Sequence, residues 1–421
     1  MLINRRQAVR WGAAVFGIVA CTGLVQAEFN WPRWRGPEGT GHTTETGLPV
    51  KWDAGSVVWK TPLKGRGQSS PIIWGERIFL TSALENGRQR LVFCIDRRDG
   101  KVLWERVAWE GTPEKSHPMN GWASATCCTD GERVVAFFGR GGLHCYSVEG
   151  QPLWSRTDLG PFEGPWGTAA SPVMVGDLVI QNCDAQDQAY LLAVDKRTGR
   201  TVWKTPRDVP ERGGWSTPVL VNVDGRQELV LNGETAVTAY DPASGKKLWW
   251  CRSFVGRGEP TPAPANGLVY VVSGLRHDMY AVRPGGSGDV TQTHMVWRAP
   301  RRVGRDQPSP IVVGNCLIVT NMDGIATGYD SATGKELWKE RLSGKFSSSP
   351  IAAGGLVYFQ NDAGETYVLE PGPRAKVVAR NSLGATDEVF RASLTPSDGQ
   401  IFSRSDRTLY CIGQRRNAGG K

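Results

Sequence analysis

One phrase recurs along the chain and constrains it more than any other feature. It reads apolar-apolar-Asp-x-x-x-Gly-x-x-apolar-Trp. It appears as Asp96-Arg-Arg-Asp-Gly100 before Trp104 and as Asp195-Lys-Arg-Thr-Gly199 before Trp203. It returns as Asp241-Pro-Ala-Ser-Gly245 before Trp249 and Asp330-Ser-Ala-Thr-Gly334 before Trp338. Shortened or stretched copies end at Trp154 and Trp297, and Val57-Val58-Trp59 is a further copy. From Trp59 to Trp338 the tryptophans step by 45, 50, 49, 46, 48 and 41 residues. A period of this length marks an architecture built from stacked, similar units.

Each unit holds four strand-like runs. In 170–203 these are Ser171-Pro-Val-Met-Val, Leu178-Val-Ile-Gln, Tyr190-Leu-Leu-Ala-Val-Asp195 and Arg200-Thr-Val-Trp203. They are short, rich in β-branched residues and bounded by Gly, Asp or Pro. The Asp of the last turn can bond its own backbone, and its Gly supplies positive φ. The Trp is large enough to hold an outer strand against the next sheet. The 52 Gly and 26 Pro fit many turns and few helices.

First strands begin near Ser70, Ser124, Ser171, Thr217, Thr261, Ser309, Ser349 and Ser393, which makes eight units. The eighth stops at Cys411-Ile412 without a fourth strand or Trp, whereas Val57-Val58-Trp59 is surplus at the other end. The expected fold is therefore all-β: an eight-bladed β-propeller of four-stranded blades whose N-terminal strand closes the last blade. Closure removes the open edges a sheet would otherwise present. The chain divides into an export signal (1–27), a lead segment (28–55), the propeller (56–413) and a disordered tail (414–421), and the expected state is a monomer.

Arg5, Arg6 and Arg10 precede a mostly apolar run, Trp11 to Val25, and Val25-Gln26-Ala27 offers small residues for cleavage. Asn4 to Arg10 resembles a twin-arginine signal, although Ala8 stands where Phe is preferred, so twin-arginine and general secretion both remain open. Cys21 is a weak candidate lipid anchor; a cysteine within the apolar run is the plainer reading. Export places the protein in the periplasm or cell envelope, with no transmembrane domain in the mature chain. Lys and Arg number 50 against 41 acids, and losing three Arg with the signal leaves +6. No basic run of five or more occurs, so a nucleic-acid footprint is unsupported.

The repeat resembles the pyrroloquinoline-quinone (PQQ) type, shared by quinoprotein alcohol dehydrogenases and by BamB, the eight-bladed lipoprotein of the outer-membrane assembly machine. The resemblance covers about 56–413. Trp31-Pro-Arg-Trp-Arg-Gly-Pro37, with Gly41, is similar to the opening of exported propellers from planctomycete-type bacteria. The dehydrogenase branch implies PQQ, a calcium site, a catalytic Asp and a vicinal cysteine pair. Cys127-Cys128 is a vicinal pair, but it aligns with Pro172-Val173 in a first strand and lacks the dehydrogenase flanks. Two small residues filling a strand is the plainer account, and a vicinal disulfide the alternative. No match exists for the calcium ligands or the catalytic Asp, so neither catalysis nor cofactor is expected, with PQQ and calcium the minor alternative. His42, His117, His144, His277 and His294 show no metal-ligand spacing. Cys94 and Cys411 occupy a slot filled elsewhere by Ala193, Ala239 and Ala281, as small buried side chains.

The loops before the first strands should meet at one mouth of the central channel. They bring Arg66 and Gln68, then His117, Asn120 and Trp122, then Trp166 and Trp215. Arg257 and Glu259, Arg305 and Asp306, Lys345 and Phe346, and Arg391 complete the circuit. Guanidinium and aromatic groups together suit anionic or planar ligands or acidic peptides. The expected function is a non-enzymatic, BamB-like scaffold binding an envelope protein or acidic peptide. A periplasmic PQQ-dependent alcohol or sugar dehydrogenase and a carbohydrate- or cell-wall-binding propeller are the alternatives.

Overall fold

The computed structural model of the chain describes residues 29–208, 213–252, 256–275, 278–301, 304–384 and 386–414. The export signal read over 1–27 and the tail beyond Gln414 lie outside the described residues. Eight antiparallel blades form a ring, as the repeat predicts. Blade 1 comprises Ile72–Trp74, Arg77–Leu84, Gln89–Asp96 and Val102–Glu110. Blade 8 comprises Thr395–Ser397, Gln400–Arg404 and Thr408–Ile412, with Val57–Pro62 as its outer strand. There Trp59 pairs with Cys411 and Lys60 with Tyr410, so the two ends of the chain share one sheet.

The recurring phrase is a lock between blades. The Asp195 carboxylate accepts the Thr198 N–H at 2.8 Å, and Gly199 turns the chain at φ +70°. A Cβ on Gly199 would meet the Trp154 ring of the preceding blade at 2.7 Å. Gly100 lies likewise under Trp59, Gly245 under Trp203 and Gly334 under Trp297. Each indole N–H then donates to a carbonyl of the turn below: Trp59 to Arg97, Trp154 to Lys196, Trp203 to Pro242 and Trp297 to Ser331. Glycine is required here by both its dihedral and the ring it carries.

The small-residue slot lies directly across the strand from these tryptophans. Cys94 pairs with Trp104, Cys145 with Trp154, Ala193 with Trp203 and Gly328 with Trp338. A bulge follows the slot in each of these blades. Apolar clusters fill the spaces between adjacent blades; one of them joins blades 7, 8 and 1 with Trp31, Leu48 and Trp52 of the lead segment.

Blade 4 departs from the four-strand expectation. Trp249 finds no glycine turn beneath it and donates instead to the buried Glu228 carboxylate at 2.7 Å. The stretched turn of blade 5 contributes Gly288–Asp289, which pairs in parallel with Trp249 and Trp250 as a fifth strand.

Cys127 and Cys128 do not form the vicinal disulfide considered above. Successive strand residues point to opposite faces, so Cys127 enters the core between blades 1 and 2 and Cys128 the core between blades 2 and 3.

Candidate functional site: a blind central channel

A closed circuit of hydrogen bonds surrounds the channel. At the start of each first strand a Ser or Thr hydroxyl accepts the backbone N–H of its counterpart in the preceding blade. Ser70 N–H donates to Thr126, Thr126 to Ser171, Ser171 to Thr217 and Thr217 to Thr261, at 2.9–3.1 Å. Thr261 donates to Ser309, Ser309 to Ser349, Ser349 to Ser393 and Ser393 back to Ser70, at 2.9–3.0 Å. Seven of these eight were the expected strand starts; in blade 2 the position belongs to Thr126, not Ser124. Proline follows six of the hydroxyl residues and biases them toward extended backbone.

The lead segment seals one face of the ring. Trp31 exchanges backbone hydrogen bonds with Ile73 of blade 1, and Pro32 accepts from Thr129 of blade 2. Arg35 donates to the Pro310 carbonyl of blade 6 at 2.8 Å, and Gly41 accepts from Ala352 of blade 7. The Glu45 carboxylate accepts from the Gly399 N–H of blade 8 at 2.9 Å. These contacts lie past the hydroxyl circuit along the first strands, so the strap crosses the face opposite the rim loops. Its turns need positive φ at Gly36 and Gly41, where a Cβ would also meet the Trp31 ring at 2.7 Å and the Pro350 carbonyl at 2.9 Å. Burial lowers the Arg35 pKa to about 9.

What remains is a cavity of about 160 Å³, open at the rim and floored by Trp34 of the strap. Nine of the fourteen rim residues line it. Gln68, His117, Asn120, Trp166 and Trp215 come from blades 1 to 4, and Arg257, Glu259, Arg305 and Arg391 from blades 5, 6 and 8. Trp166 is their hub. The His117 ring lies 5.2 Å from it and the Arg257 guanidinium 4.7 Å. Asn120 donates to its carbonyl at 2.9 Å. Trp215 donates to Gly167 at 3.0 Å, which fixes the second indole. Arg305 is paired with Glu259, and Arg257 stands 3.7 Å from the same carboxylate. Arg391 pairs with Asp362 at 3.2 Å and reaches the Pro118 and Met119 carbonyls.

The other five rim residues lie elsewhere. Asp306 turns inward to a bidentate pair with Arg301 at 2.6 and 2.7 Å, both side chains being excluded from water. Phe346 is core, 6.2 Å from Tyr367, because an apolar ring gains more from the blade 6–7 interface than from the mouth. Lys345 is exposed and outside the cavity lining. Arg66 and Trp122 line an adjoining groove, Arg66 bonded to Asp406 and Trp122 to the Glu114 carbonyl. Sequence reasoning missed Trp34, Gln307 and the hydroxyl circuit; the recurrent Ser/Thr-Pro dipeptide was the available signal for the last.

The sequence profile of the family described as outer membrane protein assembly factor BamB matches residues 26–184, 187–315 and 289–374. BamB of Burkholderia pseudomallei (strain K96243) is 24% identical over 296 residues, 67% of this chain and 68% of that protein. BamB of Bordetella pertussis is 22% identical over 396 residues, 83% of this chain and 94% of that protein. The crystal structure of BamB from Moraxella catarrhalis superposes with a TM-score of 0.62 at 16% identity, covering 85% of this chain and 99% of that one. The quinohemoprotein alcohol dehydrogenase of Comamonas testosteroni gives 0.65 at 12% identity, covering 93% and 81%; both likenesses are of fold. With the profile spanning most of its length, the chain belongs to the BamB family of PQQ-type repeat propellers.

Proposed function

We propose that the protein is an exported, non-enzymatic scaffold of the cell envelope that captures a protein partner at its open mouth. The observation that carries this reading is the convergence of Arg257, Arg305 and Arg391 with Trp166 and Trp215 on one rim of a rigid ring. Groups held on such a frame bind with little ordering cost. The partner surface that fits is acidic, as in an extended acidic peptide or loop. The relatives' name, outer membrane protein assembly factor, supports a partner within that machinery.

The donor set of the mouth favours binding over metal chemistry. Glu259 and Asp362 are already engaged by arginines, and among the described residues no three His, Cys, Asp or Glu side chains gather to hold a metal. No helix among the described residues is long and apolar enough to cross a membrane.

The test is affinity purification from an envelope extract using the wild type and the Arg257→Ala/Arg305→Ala double variant. An outer-membrane assembly component should be captured by the wild type and severalfold less by the variant, with melting unchanged. Equal capture by both, or no such component with the wild type, overturns the reading.

A further inference from the structure

We propose that the blind cavity beneath the rim is a receptor for a single acidic sugar unit, a hexuronate. This goes beyond the partner reading and does not rest on it. The cavity has room for one six-membered ring.

Its floor is rich in donors. Each hydroxyl of the circuit accepts a backbone N–H, which leaves its own proton to give. Among the described residues only Thr261 gives that proton to the protein, to the Thr217 carbonyl at 3.1 Å. Thr261 is also the one member that does not line the cavity. The other seven line it with no protein acceptor for their protons. A ligand rich in oxygen acceptors satisfies them.

The walls supply the complement. Trp166 and Trp215 line the cavity and give it apolar ring surface for the C–H groups of a sugar. Arg257 and Gln307 line the same cavity. The guanidinium of the first suits a carboxylate and the amide of the second a sugar hydroxyl. Arg257, Arg305 and Arg391 stand against two carboxylates, Glu259 and Asp362, which leaves one positive charge over and favours the acid over the neutral sugar. An aromatic acid would leave most of the seven hydroxyl protons unanswered, since it brings few acceptors.

The experiment titrates the purified chain with D-glucuronate, D-glucose and acetate, read by calorimetry and by tryptophan fluorescence. Glucuronate should bind saturably at millimolar concentration or below. Glucose should bind about tenfold or more weakly, the worth of a charge-assisted hydrogen bond, and acetate should not saturate. Arg257→Gln should bring glucuronate down to the level of glucose. Trp166→Ala should abolish both, and Trp166→Phe should retain part, which separates loss of the stacking face from loss of fold. Melting curves confirm that each variant is folded. No saturable glucuronate binding by the folded wild type, or equal binding of glucose, overturns the inference. If partner capture from the envelope persists in that case, this inference fails alone.

Discussion

The Ser393 N–H donates to Ser70 Oγ at 3.0 Å, across 323 residues of sequence. This bond closes the hydroxyl circuit at the seam where the chain's ends meet. The pairing of Val57–Pro62 with Thr408–Ile412 closes the same seam at the outer edge of the ring. The seam is thus fastened both at the channel and at the rim of the wheel.

Removal of the outer fastening should be costly. Trp203→Ala empties an inter-blade site and should destabilise by about 3–5 kcal/mol. Deleting 56–60 removes Trp59 and most of the eighth blade's outer strand, and should cost at least as much. Denaturant melts of both variants check this; a deletion that melts like the intact protein would show that the seam does not depend on its outer strand.

The circuit should respond to chemistry rather than to shape. Thr217→Val keeps the volume but leaves the buried Ser171 N–H without its acceptor, at about 1–3 kcal/mol. Thr217→Ser retains the oxygen and should stay closer to the wild type. The difference in urea midpoint between the two variants measures the effect.

The strap should be sensitive to pH. Glu45 is 2% exposed, and burial raises its pKa from 4.5 to about 7, against the opposing pull of the Gly399 N–H and Arg97; Asp398 adds to the rise. A raised acid pKa means that the folded state holds the proton longer than the unfolded chain does. Its contribution to stability is therefore full below about 4.5 and is lost as pH rises toward 7. Glu45→Gln should flatten this part of the stability–pH curve, as read by melting between pH 4 and 8 at roughly constant ionic strength.

The thiols should be silent in the native state. Cys94, Cys127, Cys145 and Cys251 are buried and each pushed up to about 12 by desolvation, and Cys316 to about 11. Thiolate is the reactive form, so a thiol reagent at pH 8 should label these only after denaturation. Rapid labelling of the folded protein would contradict their burial.

The sequence exposed the ring more fully than the site. Asp195, Gly199 and Trp203 sit in a local pattern that repeats, so their spacing carried both the strand order and the closure by Trp59. The mouth has no such period. Phe346 and Asp306 occupy rim loops in sequence, but one is drawn into an apolar interface and the other into an ion pair with Arg301 five residues away. Nothing local distinguishes them from Arg257 or Arg391, which do line the channel. The strap was legible as Trp31 to Gly41 but not as a seal, because its partners Ile73, Pro310 and Ala352 are set by tertiary structure alone. The fifth strand of blade 4 was hidden for a similar reason: Gly288–Asp289 has no strand composition, and its partners Trp249 and Trp250 lie on another blade.

The strap also fixes which way the molecule would face if held by its beginning. Phe29 accepts a hydrogen bond from Ser397 Oγ at 2.6 Å, on the sealed side of the wheel. Any tether ahead of that residue would grip the protein by its closed base. The open funnel would then look outward, away from the surface of attachment, toward whatever passes through the surrounding space.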